Sequence, residues 1–199
     1  MILTLWALIA TASAGDLPAP LSRLEATRLI GSCAIRRDRA HAIDVATAEP
    51  GTPAFERAID RIEPALEACL SGHLPSLTIR VNDLRGVFAE AFLKESGEAA
   101  LNRAQALAPV PAKRVALGKN PTANDAMLFH CAVAAEPKQA AMLVASAPES
   151  TQEAAAFGAM APALQQCVPQ EAEMRLKSFQ IRLLVAAALF GLVAAGPGA

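Results

Sequence analysis

Cys33 to Leu70 reads CAIRRDRAHAIDVATAEPGTPAFERAIDRIEPALEACL, and Cys131 to Val168 reads CAVAAEPKQAAMLVASAPESTQEAAAFGAMAPALQQCV. Shifting the chain by 98 positions lays one stretch on the other without a gap. Cys33-Ala34 falls on Cys131-Ala132, Ala42 on Ala140, Pro50 on Pro148 and Ala58 on Ala156. Pro64-Ala65-Leu66 falls on Pro162-Ala163-Leu164, and Cys69 on Cys167. A fixed offset that aligns four cysteines and two internal prolines reads as duplication of one structural unit.

Each copy divides into helices in the same way. The first predicts a helix from about Leu21 to Arg36, with Leu24, Leu29 and Ile30 toward a core, and a short one from about Arg39 to Ala48 that stops at Pro50-Gly51. Thr52-Pro53 starts a third helix, with a capping hydroxyl and proline at the first helical position. The second copy places Ser150-Thr151-Gln152-Glu153, a capping box, at the same point. Pro64 and Pro162 lie within the third helices, where proline removes a backbone donor and predicts a kink or break. A bend there would bring Cys69 under Cys33 and Cys167 under Cys131. A fourth helix runs from about Leu84 to Lys94, with Leu84, Val87, Phe88, Ala91 and Phe92 on one stripe; its counterpart runs from Glu171 to about Leu192.

The chain has 199 residues, 53% hydrophobic and 4% aromatic, with net charge −1. Abundant alanine favours helix over strand, and no stretch alternates in the period of a strand. The expected fold is all-α: two tandem copies of a three- to four-helix unit packed as a pseudo-symmetric helical bundle. Near-neutrality argues against a nucleic-acid partner, which calls for a basic stripe.

Residues 1–14 read as a signal peptide: an apolar run from Ile2 to Ala10, then Ala12-Ser13-Ala14 as a small-x-small cleavage pattern, though no Lys or Arg precedes the run. A buried N-terminal helix is the alternative. Helical unit 1 then occupies 15–107, a Pro-rich linker 108–122 and helical unit 2 123–199. Export predicts a periplasmic or secreted protein. Four cysteines in such a chain read as disulfides, Cys33–Cys69 and Cys131–Cys167, because duplication copies a bridge internal to the unit. The rival four-thiolate zinc site lacks its short-spaced cysteine knuckle.

No catalytic, cofactor-binding or metal-ligating residue is assigned, and no cofactor is expected. His130 adjoins Cys131, but adjacent helix positions point about 100° apart, so the pair does not form a nucleophile and base. Glu56, Asp60, Glu63 and Glu67 read as a solvated face. Arg36, Arg37 and Arg39 suit a helix C-terminus and are also candidate contacts to anionic envelope polymers. Leu183 to Gly196 has no polar side chain. Its length fits a buried core helix, with self-association, contact with an envelope protein or weak membrane association as alternatives.

The fourth helix carries Leu84-Arg85-Gly86-Val87-Phe88-Ala89-Glu90, an L-R-G-x-x-A-E pattern. Together with the paired cysteines flanking short helices, it resembles a group of uncharacterised bacterial secreted proteins. The second copy departs from that motif as Ile181-Arg182-Leu183-Leu184-Val185-Ala186-Ala187. The resemblance implies export and a duplicated helical design, and no activity is attached to it. Two functions follow as expectations. One is a non-enzymatic envelope scaffold or interaction protein, marked by a filled core with shallow grooves. The other is a small-ligand binder or enzyme, marked by a deep pocket lined by Arg85, Glu90, Asp83 or His73.

Overall fold

The computed structural model describes residues 21–70, 79–170 and 176–195; the candidate signal peptide and His73 lie outside them. The described residues form nine helices and no strand. They are α1 (Arg23–Arg37), α2 (Arg39–Thr47), α3 (Pro53–Leu70), α4 (Val81–Glu95), α5 (Gly97–Gln105), α6 (Pro121–Ala135), α7 (Pro137–Ala145), α8 (Thr151–Cys167) and α9 (Ser178–Ala194). The fold is all-α, as the alanine content and the absent strand period predict.

Local chemistry sets the starts. Ser22 Oγ accepts from Glu25 N while Glu25 returns to Ser22 N, closing a capping box on α1. Asp38 caps α2 through His41 N and pairs with the His41 ring at 2.6 Å, which accounts for that histidine. Thr52 Oγ1 accepts from Phe55 N at the head of α3. Ser150 caps α8 as expected, but Glu153 bonds Glu149 N instead of closing the box on Ser150. Asn120-Pro121, read as the end of the linker, is the N-cap and first residue of α6. The short helix α5 adds to the helices expected from the sequence; Gly97, at φ 65°, turns the chain into it directly after α4.

Both disulfides form as paired in the sequence reading, with Cα–Cα distances of 6.0 Å for Cys33–Cys69 and 6.1 Å for Cys131–Cys167. Pro64 and Pro162 sit inside α3 and α8, which run through them without a break.

One core cluster gathers α6, α7 and α8 around Phe129, Leu143 and Met160; another gathers α1, α2 and α3 around Ile30, Phe55 and Ile62. Of the three α1 core candidates, Leu24 and Ile30 are buried and Leu29 is exposed, because the inward arc of α1 runs through Leu24, Ala26, Thr27, Ile30, Gly31 and Ala34 and Leu29 falls outside it. Between the clusters lie α4 and α9, the most extensive helix pair. Leu184 to Leu189 join α9 to both clusters, while Leu183 packs with Leu24 and Val87. The apolar C-terminal stretch is therefore mostly interior, and no helix among the described residues is long and apolar enough to cross a membrane. Close approach of the central pair requires Gly86: a Cβ there would run into the Leu183 backbone.

Candidate functional site

Being central on both sides, α4 and α9 bury charged residues as well as apolar ones: Asp83, Arg85, Glu90 and Arg182. Burying an ion costs free energy unless partners replace its water, so each of these groups asks where its partners are.

Arg182, with 1% of its side chain exposed, has them all. Its Nε donates to Glu90 Oε1 at 2.8 Å, Nη1 to the Leu143 carbonyl at 3.0 Å and Glu153 Oε1 at 2.7 Å, and Nη2 to the Val144 and Ser146 carbonyls, each at 2.9 Å. A guanidinium has five N–H donors, and all five are engaged. Three of them close the carbonyl end of α7, a C-cap delivered from another helix. Glu90, the carboxylate opposite, also accepts from Arg28 on α1 at 2.6, 2.7 and 3.1 Å and from Lys94 at 2.9 Å. Burial by itself would raise the Glu90 carboxyl, but the hydrogen bonds from Arg28 and Lys94 and the charges of Arg182 and Arg28 hold it down at about 2. Glu90 thus stays ionised across the physiological range and is no proton shuttle. This hub ties α1, α4, α7, α8 and α9 together and is structural.

Arg85 is the opposite case. It is 8% exposed, and its Nε is buried without a hydrogen-bond partner. Burial pushes its pKa down, while Glu49, exposed on the turn after α2, acts on it through charge alone. Arg85 lines a cavity of about 510 Å³ at the junction of α2, α4, α6 and α9. The other walls are chiefly small and apolar: Ala123, Ala126 and Met127 from α6, Ala188 and Gly191 from α9, and Val115 from the linker. Thr47, Glu49 and the exposed His130 complete its polar lining. The linker is pinned beside it, Val115 N donating to the Cys167 carbonyl at 2.9 Å.

Asp83, at the head of α4, has Oδ2 buried without a partner; burial raises its carboxyl, against the charges of Arg80 and Arg23 and a hydrogen bond from Gln180. Asn82 Oδ1 is likewise unpartnered, although its amide donates to the Thr122 carbonyl at 3.1 Å. On α6, Asp125 is also raised by burial, with Arg80 pulling the other way.

The structure does not bring the sequence-predicted site residues together. Arg36 and Arg37 are exposed at the end of α1, whereas Arg39 is spent on Glu95 at 2.7 Å and on the face of Phe92, 5.0 Å from the ring centroid. Glu56, Asp60, Glu63 and Glu67 are exposed along α3, the solvated face expected. Among the described residues no group of His, Cys, Asp and Glu gathers in the manner of a metal centre. Of the four residues named for a deep pocket, Arg85 lines one, Glu90 belongs to the hub, Asp83 is buried in the first turn of α4 away from that cavity, and His73 lies outside the described residues. No protein-family model, curated protein or solved structure matches the chain.

Proposed function

We propose that the protein is an exported, non-enzymatic helical scaffold that holds a small-ligand cleft between two like units, and that it works by binding. The observation that carries the binding half is the contrast between the two interior arginines: Arg182 is saturated by protein, whereas Arg85 faces a cavity with Nε unpartnered. The cavity volume of about 510 Å³ falls within the roughly 300–1,000 Å³ of small-molecule sites.

The scaffold half rests on the frame around that cleft. The ends of α1 and α2 recur 98 residues on as those of α6 and α7, and α3 and α8 also start 98 residues apart. This register supports a duplicated unit, each stapled by its own disulfide. The two disulfides are compatible with an oxidising compartment outside the cytoplasm; a periplasmic or secreted location follows from that together with the signal-like N-terminus. Arg36 and Arg37 form an exposed basic pair through which contact with anionic envelope material would be made.

A thermal-shift screen of the full disulfide-bonded chain against chemically varied small molecules tests the binding reading. Its control is Gly191→Phe, which projects a ring from the cavity wall where a Cβ meets nothing within 4 Å. Ligands that raise the melting temperature of the parent and not of the variant support the cleft. Shifts of equal size in both proteins, or none in either, overturn it.

A further inference from the structure

Arginine does not shed its proton in a protein, so the Arg85 guanidinium is a permanent cation at the edge of an apolar cavity. In the free protein Glu49 moderates that charge from an exposed position without bonding it. A carboxylate entering the cleft would meet that charge, and a small shift of the Arg85 side chain would bring its Nε, closed off in the free protein, into the pairing. Beyond Arg85 the wall offers Ala126, Met127, Ala188 and Gly191, with no second buried cation to hold a doubly charged ligand. Gly191 is informative because neither packing nor backbone geometry asks for it: a Cβ there would stand in open space, and glycine is a poor helix former. Its effect is to widen the cleft.

Resting on the cleft reading above, we propose that the site takes a small monocarboxylate with an aliphatic body. The carboxylate pairs with Arg85, and the hydrocarbon lies along the α6 and α9 wall. Thr47, Glu49 and His130 stand at the polar part of the lining, and the ligand carboxylate takes over from the exposed Glu49 as the charge partner of Arg85.

Isothermal titration of the full disulfide-bonded protein decides this, with octanoate and decanoate as probes, held below micelle formation. Methyl decanoate and decyltrimethylammonium serve as analogues that keep the tail and remove or invert the charge. Decanoate is expected to bind, with both analogues at least tenfold weaker. Arg85→Gln should weaken decanoate by about tenfold to a hundredfold while leaving the ester unchanged. Gly191→Phe should abolish binding of the acid, with circular dichroism confirming the fold of each variant. If Arg85→Gln does not fold, the acid-to-ester ratio and Gly191→Phe still decide. Equal binding of acid and ester, binding unaffected by Arg85→Gln, binding unaffected by Gly191→Phe, or no binding of either acid overturns the proposal. In that event a ligand of another class whose thermal shift disappears in Gly191→Phe would leave the cleft reading standing; without one, both fall.

Discussion

Glu90 shows how a single carboxylate can hold a fold whose charges lie inside it. Its folded pKa of about 2 lies well below the ordinary 4.5, so its contribution is fully present above pH 4.5 and is lost as pH falls toward 2. The shift corresponds to about 3 kcal/mol, and breaking a buried pair costs about 3–5 kcal/mol. Glu90→Gln is therefore expected to lower stability at pH 7 by about 3 kcal/mol. It should also flatten the loss of stability between pH 4.5 and 2; urea denaturation across that range checks both, and an unchanged slope would assign the acid sensitivity elsewhere. The two arginines predict opposite results at neutral pH. Arg182→Met takes one partner each from Glu90 and Glu153, leaves three carbonyls without this donor and should cost about 3 kcal/mol. Arg85→Met removes a buried donor without a partner and should be neutral or stabilising in the same assay.

At the scale of elements, the packed glycines and the free ones part company. Gly86→Ala must push α4 off the Leu183 backbone and should destabilise by about 2–4 kcal/mol. Gly158→Ala, on α8 where a Cβ meets nothing, should stabilise by about 0.5–1 kcal/mol through helix propensity. Thermal unfolding of the two variants beside the parent separates them by sign. The L-R-G-x-x-A-E run acquires a physical meaning on α4: Leu84 and Ala89 fill the core, Arg85 reaches the cavity, Gly86 admits α9 and Glu90 anchors the hub. The amphipathic stripe drawn from the sequence placed only the apolar residues of α4 inside. The helix is instead buried from Asp83 to Glu90 on every side. A 3.6-residue pattern of apolar residues reports one buried face and cannot report a second face whose inward residues are charged.

For the molecule as a whole, each disulfide staples one cluster internally, and α9 joins the two clusters into one body. Each bridge closes a loop of about 37 residues, for roughly 4 kcal/mol by chain entropy. Replacing Cys33 and Cys69 together by Ala should lower the unfolding free energy by about that amount in denaturant titration. Deleting Leu183 to Ala199 removes the residues that join both clusters and should abolish cooperative unfolding; a folded product by circular dichroism and gel filtration would show that α9 is dispensable.

The sequence by itself determined the all-α class, the starts of α3 and α8 at capping hydroxyls, and the partner of each cysteine, whereas α5 and the starts of α4, α6 and α9 were not legible in it. The legible features depend on neighbours within a turn or on one repeated spacing, which a linear reading sees. Only the tertiary structure decided which charges are interior, that Arg182 is saturated while Arg85 is not, and that a cleft opens beside Arg85. Glu90 and Arg182 are 92 residues apart, and the residues around Arg85 come from three other helices, the turn after α2 and a linker. No local pattern encodes the meeting of such groups, because their burial is set by how α4 and α9 cross.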